Sequence, residues 1–362
     1  MARVASARPV SGERPHPTPA TGLRRRRPVP PFGFPLQIRL ALGTLGATGK
    51  DRVGQQVTKA AGTATATERK DVRPDVARVN LMHAFDLPHG VADEAEVERH
   101  LATLDAWTEL CRVETRRAMK DFKKDPAYYD HSEATFRMMC VVTVVQRDLG
   151  MRYNPDAVGN FDFSDSRDCF IHGLLDDRRR GTCVNIPVLY VAIGRRLGYP
   201  IHLQLAKGHV LAKWHQEHGE TVNIEGTNLG LTTQPDSYYR GFPREIYDDE
   251  ATDYLRPLSP DEERGLFMGT RGHCLEDNGR FDEALACYER AAQLQPKPYF
   301  YAGHAERLSQ LLGRHRPGAC DTAGILNIRN FRASTPNFIT AYPPVAPAPA
   351  NPATSAPEGA SS

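Results

Sequence analysis

The sequence predicts an α+β fold, and three observations carry that reading. From Ala92 to Phe122, Val97, Leu101, Leu104, Trp107, Leu110 and Cys111 recur at three- and four-residue intervals, the spacing of a buried helical stripe. A second helical pattern, Ile186, Leu189, Tyr190, Ile193 and Leu197, stops at Gly198, which suits a left-handed cap. Three short strand-like runs follow at once: His202–Ala206, Val210–Trp214 and Glu220–Ile224. Helices collected first and strands collected after, without alternation, make an antiparallel sheet beside a helical scaffold.

Taken in order, the chain opens on a tail. The first 75 of its 362 residues carry 14 Lys or Arg against 5 Asp or Glu, so the tail is about +9 and the remainder about −7. Residues 1–73 are rich in Pro, Arg, Ala, Thr and Gly and read as disordered. Arg24–Arg27 can touch acidic surfaces without specificity, and Arg39 breaks the single apolar stretch, Leu36 to Leu45, so a signal peptide fits poorly. The acidic remainder argues against a specific nucleic-acid partner. No apolar run reaches membrane-spanning length, so no membrane partner is expected. Seven cysteines without a C-x-x-C pair read as free thiols in a reducing, cytoplasmic setting.

A folded domain is expected over 74–258, with a helical part at 90–150 and a catalytic part at 160–230. An apolar entry segment begins near Val76. After the Ala92–Phe122 stripe, Ser132 reads as the cap of a helix that runs through Phe136, Met139, Val142 and Val145 to Gly150. A polar, turn-rich connection from Tyr153 to Gly173 then leads to Gly181-Thr182-Cys183.

Cys183, His209 and Glu225 stand in chain order at the ends of these elements. A thiolate is the nucleophilic form of cysteine, and exposed amides at a helix start favour it, as does the cationic run Arg178–Arg180. Pro187 suits the first helical turn, so the regular helix starts near Ile186 and leaves Cys183 in the turn before it. An imidazole can take the thiol proton and return it to a leaving amine, and a carboxylate can fix the imidazole's tautomer. A helix followed by three antiparallel strands would bring the three together. Asn223, on the same strand face as Glu225 by alternation, is the alternative third member. Four neighbouring histidines, His202, His209, His215 and His218, come without H-E-x-x-H or paired cysteines, so no metal is expected, and no cofactor.

These residues resemble the transglutaminase-like superfamily, whose papain-like core places a Cys at a helix start and then a His and an Asp on successive strands. Gly181-Thr182-Cys183 is similar to its nucleophile turn, Arg195 to Pro200 to its helix end, Gly208-His209 to its base, and Ile224-Glu225-Gly226-Thr227 to its third member. Two positions depart from the pattern. Val210-Leu211 stands where an aromatic residue is usual, and Glu225 where Asp is usual. The resemblance implies a side chain upstream of the Cys in the oxyanion hole, for which His172 is the positional candidate. Tyr238, in the Tyr- and acid-rich segment from Asp236 to Pro260, is a candidate wall of the cleft.

From Gly265 the chain resembles one tetratricopeptide repeat, with Gly272, Gly279, Phe281, Ala284, Tyr288, Ala291 and Pro296 in a 34-residue frame. A second unit begins at Tyr299 and is interrupted by Pro317-Gly318. Repeat helices are therefore expected over 259–316, docked on the core because one repeat cannot bury its own face. An Ala/Pro-rich disordered tail follows over 317–362. The expected function is a thiol-dependent amide hydrolase or acyl transferase, peptidase-like, on a peptide or protein substrate. The alternative is a degenerate core that binds peptides or proteins through the repeat helices.

Overall fold

The computed structural model describes residues 73–157, 161–226, 229–240, 253–297 and 300–314. The expected basic tail up to residue 72 and the Ala/Pro-rich tail lie outside the described residues. The apolar entry segment is helix α1 (Val76–Met82), started by Asp75, whose carboxylate accepts from Ala77 N. Helix α2 (Glu94–Lys124) is a single rod, with Asp93 accepting from Glu96 N and basic residues in its last turn. Its buried stripe contains Val97, Leu101, Leu104, Trp107 and Cys111, as the periodicity predicts. Leu110 of the expected stripe is instead 46% exposed. Helix α3 (Glu133–Thr143) starts at Ser132, whose hydroxyl accepts from Thr135 N at 3.0 Å, and it loosens into a π turn over Val144–Asp148. Glu220, far along the chain and just before the strand residue Thr221, accepts from Ser132 Oγ and from the amides of Glu133 and Ala134. An anion thus sits on the positive end of α3 and ties the helical layer to the sheet.

Strand β1 (Arg152–Tyr153) pairs in parallel with β2 (Arg180–Gly181), with Tyr153 opposite Gly181. A short helix α4 (His172–Leu175) lies between them in sequence. Helix α5 (Ile186–Arg196) follows, and every residue from Ile186 to Gly194 is buried. Strands β3 (Ile201–Ala206), β4 (His209–His215) and β5 (Thr221–Ile224) form an antiparallel sheet in the order β3-β4-β5. The core lies around α5, between α1, α2 and α3 and the sheet face of Leu203, Leu205, Val210, Ala212 and Trp214. Complete burial of an aliphatic or aromatic side chain contributes about 1.5–3 kcal/mol, so this helix anchors the domain. The opposite sheet face is covered by α6 (Asp236–Arg240) and the segment at 253–258, whose Leu255 and Leu258 amides donate to Leu205 and Leu203 carbonyls of β3.

The C-terminal part is helical: α7 (Pro260–Asp277), α8 (Phe281–Leu294) and α9 (Phe300–Leu311). Ser259 and Glu262 form a reciprocal capping box at the start of α7. Leu266, Phe267, Cys274 and Tyr288 join the same apolar core as α5, so these helices dock as expected of an incomplete repeat array. Polar ties cross the seam: Arg195 pairs with buried Glu263, Arg271 donates to the carbonyls of His83 and Phe85, and Arg280 pairs with Asp86.

Candidate active site around Cys183

The turn that presents Cys183 is held by side chains on both sides of it. Asn185 accepts from Thr182 N at 2.8 Å and donates to the carbonyls of Arg167 and Phe170, each at 3.0 Å. Thr182 Oγ1 donates to Asp168 O at 2.6 Å. The Asp168 carboxylate receives Asn154 Nδ2 and Arg178. A Cβ on Gly181 would sit 2.4 Å from Leu174 Cδ2 and 2.6 Å from Asn185 Oδ1, so only glycine lets the chain pass there. Helix α5 starts after this turn with Pro187 in its first turn, and Cys183 therefore precedes the helix, 8% exposed.

His209 opens β4 directly after a two-residue turn in which Gly208 takes φ +62°. Its Nε2 donates to Glu225 Oε2 at 2.6 Å, and both residues are 7% exposed. The β4–β5 register, Ala212 opposite Ile224, continues to Leu211 opposite Glu225. Glu225 thus faces His209 along a diagonal, a spacing of about 7–8 Å that favours a long side chain. This is a physical reason for Glu where the superfamily usually has Asp. Antiparallel bonding between Glu225 and Thr232 fixes the backbone on the outer side. With Nε2 on Glu225, the Nδ1 side of the ring is buried, and the Cys183 sulfur lies near enough for its charge to act on the imidazole. Burial pulls the imidazole down, but the Glu225 carboxylate and the Cys183 sulfur outweigh it and push it up to about 10.

The other predicted residues fall elsewhere. Asn223 stands opposite Lys213 and donates to Gln234 O and Asp236 Oδ1, while its oxygen accepts from Gln204. It belongs to a neighbouring polar cluster in which buried Lys213 pairs with Asp236. His172 sits at the start of α4, its Nε2 bonded to His89 O at 3.0 Å and near Ser166 Oγ at 3.3 Å. Tyr238 packs edge-on against Tyr239, and the Glu225 charge adds to burial in raising its phenol. The residue that sequence reading did not single out is Tyr153. Burial first, and then the Cys183 sulfur and the Glu225 carboxylate, push its phenol well above the usual range, and its backbone stands opposite Gly181, two residues before the cysteine. Its place depends on pairing between two-residue strands, which no period in the sequence announces.

Residues 100–262 match the family model of the transglutaminase-like superfamily, and residues 269–298 match that of the tetratricopeptide repeat. Residues 100–262 form a transglutaminase-like domain. No curated protein and no solved structure matches the chain. Cys183, His209 and Glu225 all lie within the matched segment. The domain's packing is α+β, as expected, with the helical repeat region after it. Among the described residues no group of His, Cys, Asp and Glu is arranged to hold a metal ion, and no helix is long and apolar enough to cross a membrane.

The histidines of the transglutaminase-like domain make its stability depend on pH in two directions. Burial pushes His172 down to about 4; burial, then the Arg73 and Arg195 charges, do the same to His202. Between pH 6.5 and 4 the unfolded chain binds protons that these folded imidazoles refuse, so stability falls as the solution is acidified. For His172 the loss is about 3 kcal/mol at its limit. His209 has the opposite sign: its contribution is complete below pH 6.5 and is lost as pH rises toward 10. Urea midpoints are therefore expected to drop from pH 6.5 to pH 4.5, and His172→Phe should flatten that arm. An unchanged acid arm in the variant would contradict the assignment.

Proposed function

We propose that the transglutaminase-like domain is a thiol-dependent amide hydrolase, peptidase-like, that works through Cys183, His209 and Glu225. The observation that carries this reading is the buried His209–Glu225 pair at 2.6 Å, with the Cys183 charge among the influences that raise the imidazole. In the first step His209 takes the Cys183 thiol proton as the sulfur attacks the carbonyl carbon of an amide. The C–N bond breaks as His209 gives its proton to the leaving amine, leaving a thioester on Cys183. Water then adds to the thioester carbonyl while His209 takes one of its protons. Collapse returns that proton to the sulfur and releases a carboxylic acid. Glu225 holds the imidazole in place and stabilises its charged form. The Cys183 amide and the Tyr153 hydroxyl supply two donors for the oxyanion. Attack by an amine instead of water would make the same site an acyl transferase.

The docked repeat helices fit a protein or peptide substrate, since tetratricopeptide repeats are protein-interaction motifs. Selective alkylation tests the reading. Burial pushes the thiols of Cys111 and Cys140 up to about 12 and also raises those of Cys169 and Cys287. Iodoacetamide at neutral pH should therefore mark Cys183 first, mapped by peptide mass. Labelling spread evenly over the cysteines would remove the chemical basis of the proposal.

A further inference from the structure

Helix α5 carries the nucleophile turn before its first residue, and a separate concavity lies at its other end. There α2, α3 and the residues after α5 leave an open groove of about 550 Å³. Arg112, Arg116, Lys120 and Lys123 line it from α2, Arg137 lines it from α3, and Tyr199 supplies an aromatic wall. Arg112, Arg116 and Lys120 follow one another at intervals of four, so their charges repel along one face of α2, and such pairs destabilise a helix. Arg112 is matched by Glu109 and Arg137 by Glu133. Among the described residues, Arg116, Lys120 and Lys123 have no ion-pair partner. The groove is not a sample of the sequence's average charge, because residues 76–362 have seven more acidic than basic side chains. Arg137 stands 5.5 Å from the centre of the Tyr199 ring and holds that face in a cation–π contact.

We propose that this groove binds an acidic peptide segment of a protein partner, with carboxylates on Arg116, Lys120 and Lys123 and an apolar side chain beside Tyr199. The volume suits a few side chains in a cleft rather than a duplex. The site lies past the C-terminal end of α5, roughly 15–20 Å along the helix from the Cys183 turn by its rise per residue. Binding there is thus independent of whether Cys183 turns over.

The test is fluorescence anisotropy on the full chain with a short fluorescein-labelled peptide of glutamates interrupted by leucine. Oligothymidylate of equal charge and inorganic phosphate serve as competitors. Wild-type protein is expected to bind the peptide, more weakly as salt is raised, and neither competitor should displace it at matched charge. The double variant Arg116→Glu/Lys120→Glu, at two exposed positions, should lose about ten-fold or more in affinity through reversed charge. Lys123→Glu alone should shift affinity the same way by less, and Arg99→Glu/Arg290→Glu, exposed elsewhere, should bind as wild type. Undiminished binding by the double variant, absence of binding by wild type, or tighter binding of oligothymidylate would each overturn the proposal. Alkylation of Cys183 reads the catalytic proposal on the same samples, so failure of one leaves the other standing.

Discussion

Replacing His209 by Ala slows alkylation of Cys183 at neutral pH by at least about 10²-fold, the lower range for loss of a positioned general base. The expectation follows from the Cys183 charge acting on the imidazole and from the Glu225 carboxylate, which holds a proton on the ring against the pull of burial. Glu225→Gln keeps a hydrogen-bonding group at the same distance but removes the charge, so its rate should fall between those of wild type and His209→Ala. The five other described cysteines serve as internal controls, since all are buried away from His209 and should react equally in the three proteins. Mass-spectrometric rate constants for the Cys183 peptide make the measurement. Identical rates in wild type and His209→Ala would mean that the imidazole does not assist the sulfur.

Replacing Glu263 by Ala destabilises the whole folded unit by about 3–5 kcal/mol, the range for removing one partner of a buried ion pair. Glu263 is 4% exposed and takes both Arg195 nitrogens from the end of α5, with Arg73 at 3.6 Å. Without the carboxylate, Arg195 keeps its charge beside the core, and among the described residues the Ile201 carbonyl is the acceptor that remains to it. The thermal midpoint should drop by about 10 °C for a fold of this size. Because α7 and α5 share one core, a single transition is expected rather than early loss of the repeat helices. A two-step melt would show that the repeat helices fold apart from the domain.

Much of this architecture was legible because period and caps agreed. The α2 stripe, the Ser132 cap and the three strands follow from patterns whose local preference matches the final packing. Gly208 and Gly181 announced turns, and those turns set where His209 and Cys183 emerge. What the sequence could not supply was the outcome of contacts between distant short segments. Asn223 and Glu225 share a strand face, and only the diagonal reach across β4 decides that the carboxylate, not the amide, meets His209. His172 precedes the nucleophile in sequence, yet α4 turns its ring toward His89 and Ser166. Tyr153 comes to Cys183 through two paired residues, too few to leave a pattern. The cationic groove likewise combines two helices and the end of a third, each unremarkable in sequence.

The most direct measurement is the second-order rate of Cys183 alkylation as a function of pH from 5 to 9. His209, pushed up to about 10, keeps its proton across this range, so wild type should react faster than His209→Ala at every pH measured. Superimposable profiles for the two proteins would contradict the account.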